Sequence, residues 1–447
     1  MKFWKSSNLG RLVLVLASGL LFQLILFHVA HISTERPLRG DEGTYLNKAA
    51  QIAAGTFPSP DFIWPPFYEY FLGGFYYLFG AHRLPLELIQ IALLVASGLF
   101  LRRLVLVAGL GSLAADAALT FLLLDPQIAA FAHYFWPENL HLFLGLLGAV
   151  LLCAGQPSKS RFFGAGVALG LAMLTKSLLG PFIPIFLIIP IFREPMAALA
   201  ERLKRTAGIA AGMALVVLPL LVFNGVRYGV WKIADSGPFN VWVGLNDPKD
   251  KRNPHTFVGP AFREFVRSSS DPRERNRIYW EKIADKVQAN GWITILGRQF
   301  SKQYVRLFDK NSFFTDQLPG GLWAPRKARG SFATRFLRLW AYSIYALVLV
   351  LASFGLFQAD RKELTGVAAL PVLFLIYNMA IFLFLHTKTR FRIAFWPAVV
   401  FFAVLALSRF WSWKKSPELG KRRIGLRLAA GFALSALLLY LAFAPIG

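Results

Sequence analysis

Two adjacent carboxylates, Asp41 and Glu42, stand in a polar segment that follows the first long apolar run of the chain. Such a pair can bind a divalent cation, or one carboxylate can accept a proton from the hydroxyl of an acceptor. A helical pattern follows from Leu46 to Ala54, so Asp41 could instead serve only as the N-terminal cap of that helix. Glu138, directly after Pro137, is open to two interpretations as well, an acid in a cavity or an acid at a helix start.

Two short segments place basic side chains next to apolar runs. Lys176 stands alone between two short runs, where its ammonium could meet a lipid phosphate or simply extend to water. The segment that begins at His386 holds three cations within five residues, Lys388, Arg390 and Arg392. Arginine binds phosphate oxygens through two parallel hydrogen bonds, so this segment is a candidate phosphate site, although a short basic loop can also be incidental.

Several classes of enzyme site are excluded by the rest of the sequence. The seven histidines include no pair four residues apart with a Glu between them, and no order of Ser, His and Asp is typical of a catalytic triad. No Walker or Rossmann glycine pattern is present. The single cysteine, Cys153, lies inside an apolar run, so it can form neither an internal disulfide nor a cysteine metal site. We therefore expect no certain cofactor, with a divalent cation as the open alternative.

Composition decides what surrounds these residues. Of the 447 residues, 56% are hydrophobic and 16% are charged, which is more apolar surface than a soluble chain could bury. The net charge of +25 comes from Lys and Arg residues that fall between apolar stretches rather than in one stripe. That spacing fits membrane topology and contact with anionic membrane lipids, and it excludes nucleic acid as an expected partner.

About eleven apolar runs, two of them short, predict an all-α polytopic membrane protein. The first follows the basic segment Met1–Arg11 and lacks a convincing cleavage site, which indicates an uncleaved first span. The predicted runs are Leu12–Ala30, Leu84–Leu101, Leu113–Phe131, Leu140–Ala154, Phe163–Leu174, Leu178–Phe192, Ala207–Phe223, Leu337–Phe357, Gly366–Leu385, Ile393–Leu407 and Ile424–Phe443.

The aromatic segment Pro65–Gly80 decides the topology. If it does not cross the membrane, all the basic clusters fall on one side, which is the cytoplasm by the positive-inside rule. We therefore expect it to be interfacial or re-entrant, in an inner (plasma) membrane protein whose N-terminus is cytoplasmic. Asp41, Glu138, Lys176 and Arg390 then share the outer side.

This topology divides the chain into three parts. Residues 1–223 form an N-terminal transmembrane module whose first outer loop, 31–83, carries the acidic pair. Residues 224–336 are too long for a linker and are expected to fold as a mostly helical outer-face subdomain, which we call the loop subdomain. Residues 337–447 form a C-terminal transmembrane module.

One helix of the loop subdomain is predicted to be amphipathic. Its apolar residues recur every four positions, and its basic residues recur with the same spacing two positions further along. It could lie along the membrane surface or pack as a solvated helix on the core of the subdomain. The apolar face holds Leu296, Phe300, Tyr304 and Phe308, and the basic face holds Arg298, Lys302, Arg306 and Lys310.

In the order of these motifs, the chain resembles the C-type membrane glycosyltransferases, or GT-C enzymes, of the dolichyl-phosphate-mannose protein mannosyltransferase and aminoarabinose transferase family. Each motif is weakly specific, but the ordered set covers nearly the whole chain. The motifs are Pro37-Leu38, Asp41-Glu42 and Tyr45, Pro65-Pro66, Leu78-Phe79-Gly80, Pro137-Glu138, Gly170 to Lys176, Asn224, Tyr228-Gly229, Gly244 to Asn246, and Arg390-Phe391-Arg392 before Pro397.

The resemblance implies a GT-C helix bundle and a donor sugar carried on a polyprenyl or dolichyl phosphate. It further implies transfer at the outer face by a single inverting displacement. Asp41 would then be the base or acceptor-positioning group, with Glu42 and Glu138 also in the catalytic set. The remaining assignments are phosphate binding for Lys176, Arg390, Arg392, Lys388 and His386, and acceptor or donor positioning for Tyr45, Arg39 and Asn246.

The acceptor and one rival function stay open. The family members that transfer aminoarabinose look as if they carry an acidic and a basic residue just before their Pro-Pro motif. At the matching positions, before Pro65-Pro66, this chain has Ile63-Trp64. A lipid, an envelope glycan or a protein could therefore accept the sugar. A transporter or flippase of a lipid or lipid-linked glycan would also have many spans and charges in a cavity, and a non-catalytic membrane scaffold would not need the cations at all.

Overall fold

The computed structural model describes residues 6–29, 37–56, 63–156, 158–193, 198–248, 255–319, 321, 331–359, 369–415 and 421–444. Within these ranges the chain forms helices and no strands, which confirms the all-α class. The α-helices are α1 (Ser6–Val29), α2 (Glu42–Ala53), α3 (Phe67–Phe79), α4 (Arg83–Val107), α5 (Ser112–Leu124), α6 (Pro126–Ala129), α7 (Glu138–Cys153), α8 (Lys159–Thr175), α9 (Ile183–Arg193), α10 (Leu199–Tyr228), α11 (Gly237–Asn246), α12 (His255–Ser268), α13 (Pro272–Asn290), α14 (Trp292–Gln299), α15 (Val305–Phe308), α16 (Phe313–Gln317), α17 (Phe332–Gln358), α18 (Ala369–Phe382), α19 (Trp396–Lys415) and α20 (Lys421–Phe443). Short segments of other helix types lie at Ala130–Ala132, Ser177–Phe182, Phe300–Tyr304 and Thr389–Ala394.

Five of the described helices are long and apolar enough to cross a membrane: α1, α4, α10, α17 and α20. A sixth candidate is the predicted run Leu113–Phe131, which is broken at Asp125 into two helical pieces that bend by 57°. Four more predicted runs appear as apolar helices of 10–17 residues. The multi-pass character is confirmed, and among the described residues five helices, or six with the bent pair, are long and apolar enough to cross. The number of about eleven spans stays a prediction.

Ion pairs identify the two ends of the bundle. At one end, Asp116 of α5 bonds Arg11 of α1 at 3.1 Å and Arg102 of α4 at 2.8 Å. The other ends of the same helices meet where Glu87 of α4 lies 3.6 Å from His133. Arg11 and Arg102 therefore share an end, as the charge pattern predicts, and we call it the Asp116 end.

Glycines let the apolar helices approach closely, as is common where helices pack within a membrane. A Cβ atom added at Gly166 of α8 would lie 2.0 Å from the carbonyl oxygen of Ile209 on α10. A Cβ at Gly212 of α10 would lie 2.0 Å from the carbonyl oxygen of Phe163 on α8. Any larger residue at either position would force the two helices apart.

The first predicted outer loop folds into two helices that pack on each other, α2 and α3. Lys48 of α2 and Glu69 of α3 form an ion pair at 3.0 Å. Helix α3 has 13 residues, so it reaches only about 20 Å against the ~30 Å of a bilayer core. This length supports the prediction that Pro65–Gly80 does not cross.

The loop subdomain has a small apolar core of its own, formed by α11, α12 and α13 together with Ile63. Its predicted boundaries stay a prediction, although α10 ends at Tyr228 and α17 begins at Phe332, close to them. Beside this core, the carboxylate of Asp235 is buried and bonds Arg275 at 2.7 Å.

The predicted basic face of the amphipathic helix is wrong at Lys302 and Arg306. Lys302 and Arg306 are buried and bond the carboxylate of Asp247, whereas Phe300 of the predicted apolar face is 45% exposed. A wide helical turn at Phe300–Tyr304 interrupts the regular spacing on which the prediction rested. The buried carboxylate draws these two basic residues inward, because an acid in the interior needs basic partners, while Tyr304 and Phe308 of the predicted apolar face are buried as predicted.

Candidate active site

A tight turn places Asp41 at the end of the bundle opposite Asp116, which we call the Asp41 end. Gly40 has a φ of 57°, and a Cβ atom there would lie 2.9 Å from the ring of Trp136. Only glycine combines this backbone angle with such a close approach. The side chain of Asp41 is 59% exposed and makes no capping hydrogen bond to α2, so helix capping does not account for it.

Glu42 faces the opposite way and is fully buried. Its two carboxylate oxygens accept hydrogen bonds from the backbone amides of Arg39 and Phe135, each at 2.8 Å. Glu42 thus ties the turn that carries Asp41 to the segment that precedes α7. Its position favours a structural role over the assisting catalytic role that the resemblance implied, and it separates the two carboxylates of the predicted pair.

Four residues from distant parts of the sequence meet at this end, and we call them the charge cluster: Asp41, Glu138, Lys176 and Arg390. Glu138 is buried at the start of α7, and its Oε1 atom lies 3.0 Å from Nζ of Lys176. Arg390 bridges the two acids, with Nε 3.5 Å from Oε1 of Glu138 and Nη2 3.5 Å from Oδ2 of Asp41. The structure therefore brings together the four residues that the topology placed on one side.

Aromatic rings support the two cations. The Arg390 guanidinium carbon lies 3.6 Å from the ring centroid of Trp136, and Lys176 Nζ lies 5.0 Å from that of Phe391. Such stacking fixes the guanidinium plane and leaves its edge available for an anion. The sequence predictions did not include Trp136, whose only sequence signal is its place directly before Pro137-Glu138.

Tyr45 stands beside this cluster on α2. Its ring packs edge-on against Tyr68, with 5.2 Å between the ring centroids. Burial and the nearby Asp41 carboxylate raise the pKa of Tyr45 above its usual value. Its hydroxyl therefore stays protonated and can donate a hydrogen bond to a ligand, in line with the predicted positioning role.

Lys388 adds a third cation. Its side chain is half-buried, and burial together with the neighbouring Arg390 lowers its pKa from 10.5 to about 8, while Asp41 and Glu138 oppose the shift. Lys176, Lys388 and Arg390 face two carboxylates, so the site carries one net positive charge at neutral pH. An anion would relieve the repulsion among the cations.

Arg392 is not brought into this group, although the resemblance placed it there. Its guanidinium is buried and donates to the carbonyl oxygens of Leu307 at 3.3 Å and Asp309 at 2.6 Å, and also to the side-chain oxygen of Gln127. It also lies 4.2 Å from the ring centroid of Tyr345. Its donors are occupied within the protein, so Arg392 anchors the loop rather than facing a phosphate.

His386 and Asn246 also lie outside the charge cluster. His386 is buried with Nδ1 2.8 Å from the carboxylate of Asp247. The Asn246 side chain donates to the carbonyl oxygen of Trp242 at 2.8 Å, within its own helix α11. Both side chains therefore make internal contacts away from the charge cluster, and their binding roles stay predictions.

An apolar groove runs among α4, α7, α9, α18 and α19. Three of its lining residues, His141, Leu179 and Ala394, come three or four positions after Glu138, Lys176 and Arg390 respectively. The groove thus begins about one helical turn from the charge cluster. Its walls are aliphatic and aromatic side chains: Leu101, Leu104, Leu142, Leu146, Phe186, Leu370, Phe374, Pro397 and Phe401.

Comparisons with known proteins bear on the fold. Residues 64–223 match the family described as dolichyl-phosphate-mannose-protein mannosyltransferase. No curated protein sequence matches the chain.

Among solved structures, the archaeal oligosaccharyltransferase AglB from Archaeoglobus fulgidus, in complex with an inhibitory peptide and a dolichol-phosphate, aligns with a TM-score of 0.52 at 15% identity. The alignment covers 98% of this chain and 56% of AglB, so the chain spans little more than half of that relative. ArnT from Cupriavidus metallidurans, bound to undecaprenyl phosphate, aligns with a TM-score of 0.41 at 16% identity, over 90% of this chain and 79% of ArnT. The family match and the shared fold together confirm the resemblance, and the chain has the fold of the GT-C-type membrane glycosyltransferases.

Proposed function

We propose that this protein is a membrane glycosyltransferase that moves a sugar from a polyprenyl-phosphate-linked donor to an acceptor hydroxyl. The observation that carries the proposal is the position of an exposed carboxylate, Asp41, beside a cluster of cations at the start of an apolar groove. A base, an anion site and an apolar groove for the lipid chain are the three parts that such a reaction needs. The proposed setting is the outer face of the inner membrane, with a lipid, an envelope glycan or a protein as acceptor.

The donor is proposed to bind with its phosphate at the cations and its polyprenyl chain in the groove. Lys176 and Arg390 both contact Glu138, and Lys388 is two residues from Arg390. The dolichol-phosphate in the archaeal oligosaccharyltransferase shows that a protein of this fold binds the same class of lipid phosphate. Membrane lipids would surround the rest of the bundle.

The proposed reaction is a single displacement with inversion at the anomeric carbon. Asp41 accepts the proton of the acceptor hydroxyl while that oxygen forms the new bond to the sugar. The bond between the anomeric carbon and the phosphate oxygen breaks, and the polyprenyl phosphate leaves with the electron pair. Lys176, Lys388 and Arg390 stabilise its charge in a partly water-excluded site. Glu138 holds two of these cations in place.

A divalent cation stays an alternative way to hold the phosphate. Of the predicted acidic pair, only Asp41 would face such an ion, since both oxygens of Glu42 are bonded to backbone amides. Transfer measured with and without a chelator, with added Mg²⁺ or Mn²⁺ as the restoring ion, decides between the metal and the three basic side chains.

Proteoliposomes that contain the purified protein and a labelled polyprenyl-phosphate sugar test the function against its rival. We expect a covalent product on an added envelope-lipid acceptor and release of free polyprenyl phosphate. Movement of the intact labelled lipid between leaflets, without product or release, would instead establish the flippase. Mass differences in envelope lipids, glycans and proteins between deletion and wild-type cells identify the acceptor.

Binding of the donor is expected to weaken as the pH rises through about 8. Lys388 has its pKa lowered to about 8, so it carries a charge below that pH and loses it above. Because an anion binds the charged form, the KM for the donor should rise by up to about tenfold for each pH unit above 8.

The variant Lys388→Arg provides the control for this pH dependence, since arginine keeps its charge throughout the range. The KM for the donor measured between pH 7 and 9.5 should rise in the wild type and stay flat in this variant. An equal rise in both proteins would remove Lys388 from the phosphate site.

A further inference from the structure

The segment from His386 to Arg392, which we call the cation loop, carries Lys388 and Arg390 between two anchored ends. We propose that Asp247 of the loop subdomain is a positioning residue for sugar transfer, because it holds the cation loop through His386 and so places Lys388 at the charge cluster. This inference rests on the proposed function, which assigns Lys388 and Arg390 to the donor phosphate. It gives the loop subdomain a direct part in donor binding.

The carboxylate of Asp247, just after α11, has no exposed surface. It accepts a hydrogen bond from Nδ1 of His386 at 2.8 Å, and it bonds Lys302 at 2.8 Å and also Arg306. Burial lowers the pKa of His386 to about 4, so the imidazole is neutral and its Nδ1–H is the donor. Burial opposes the charge of Asp247, but His386, Arg306 and Lys302 outweigh it and hold its pKa below the usual value.

Backbone contacts join the same two segments. The backbone amide of His386 donates to the carbonyl oxygen of Asn240 at 3.1 Å. A Cβ atom at Gly244 would lie 2.7 Å from that same amide nitrogen, so α11 approaches the cation loop as closely as a glycine allows. The Thr387 hydroxyl donates to the side-chain oxygen of Gln303 at 2.6 Å.

The far end of the cation loop is held separately, by the bonds from Arg392 to the carbonyl oxygens of Leu307 and Asp309. Between the anchors, Lys388 is one residue from Thr387 and Arg390 is two residues from Arg392. Release of the His386 end should therefore displace Lys388 more than Arg390. This asymmetry separates a positioning role from general loss of stability.

The test uses two readouts on the full-length protein and its Asp247→Asn variant. The rate of acylation of Lys388, followed by mass spectrometry against pH, reports the pKa of that side chain. It should be near 8 in the wild type and rise toward ~10 in the variant, as Lys388 leaves its buried site beside Arg390. The Kd for undecaprenyl phosphate should increase about tenfold.

Asp235→Asn is the matched control, since Asp235 is a buried carboxylate of the same subdomain that bonds Arg275. It should leave the acylation of Lys388 and the Kd unchanged. His386→Asn keeps a donor near the position of Nδ1 and should retain most of the affinity, whereas His386→Ala should not. This pair decides the question even if Asp247→Asn does not fold.

Unchanged acylation and an unchanged Kd in Asp247→Asn and His386→Ala would overturn the proposal, and equal losses in Asp235→Asn would do so as well. If the wild type binds no undecaprenyl phosphate, the proposed function fails. The pH profile of Lys388 acylation then still decides whether Asp247 positions the cation loop, so the two failures are distinguishable.

Discussion

Replacing Asp41 by Asn is expected to abolish sugar transfer while the donor still binds. We expect kcat to fall by about 10³-fold, within the range that a general base contributes, which corresponds to about 4 kcal/mol in the activation free energy. The KM for the donor should stay the same or decrease, because Asp41 lies 3.5 Å from Arg390 and competes with a phosphate for that cation. A fall in kcat without a rise in KM identifies a group that acts in the transition state.

The exposure of Asp41 makes this variant interpretable. Its side chain is 59% exposed and caps no helix, so Asn should leave the thermal stability of the protein unchanged. Glu264→Gln, at another exposed carboxylate that pairs with Lys282, is the matched control and should transfer sugar at the wild-type rate. Turnover of Asp41→Asn like that of the wild type would disprove the role of Asp41 as the base.

The gathering of the charge cluster could be predicted because it depends on topology. Clusters of Lys and Arg assigned the loops that carry them to the cytoplasmic side of the membrane. Charged residues in the remaining loops therefore had to share the opposite, outer face. Asp41, Glu138, Lys176 and Arg390 are such residues, and they lie in contact. Topology fixes the side of a residue but not its distance from the others, so residues that face the site and residues that lie just behind it have the same sequence signal.

Which way a side chain points depends on partners that are distant in the sequence. Glu42 is adjacent to Asp41 but turns to the backbone amide of Phe135. Arg392 is two residues from Arg390 but turns to carbonyl oxygens of the loop subdomain. The local sequence predicts the same orientation for both members of each pair. The backbone atoms that decide the orientation lie about 80 to 90 positions away in the chain.

The helix that buries Lys302 and Arg306 shows the same limit on a larger scale. A prediction from helical periodicity places charged side chains toward water. It fails where a buried acid forms ion pairs with those side chains. Asp247 precedes Lys302 by 55 positions and reads in the sequence as an ordinary loop residue before a proline. The interior partner overrides the pattern because an unpaired buried charge costs several kcal/mol, far more than exposing one aromatic ring.

Replacing Arg390 by Ala is the second change with a large expected effect. Arg390 contacts both acids of the charge cluster and stacks on Trp136 at 3.6 Å, so it is the cation with the most fixed geometry. Its loss removes stabilisation of the leaving phosphate, and kcat/KM should fall by about 10²- to 10³-fold. Arg390→Lys keeps the charge but loses the planar stack and the paired donors, so a defect of about tenfold should remain.

Inhibition by undecaprenyl phosphate separates the two ways in which Arg390 could matter. If it binds the leaving phosphate, the inhibition constant rises together with the KM in Arg390→Ala. Adding Glu138→Gln to that variant then restores part of the affinity, because Lys176 loses the carboxylate held 3.0 Å from its ammonium and becomes free for the phosphate. If Arg390 only holds Glu138 in place, the inhibition constant does not change and the double variant is no better than the single one. That outcome would move the phosphate site away from Arg390 and leave Lys176 and Lys388 as its remaining cations.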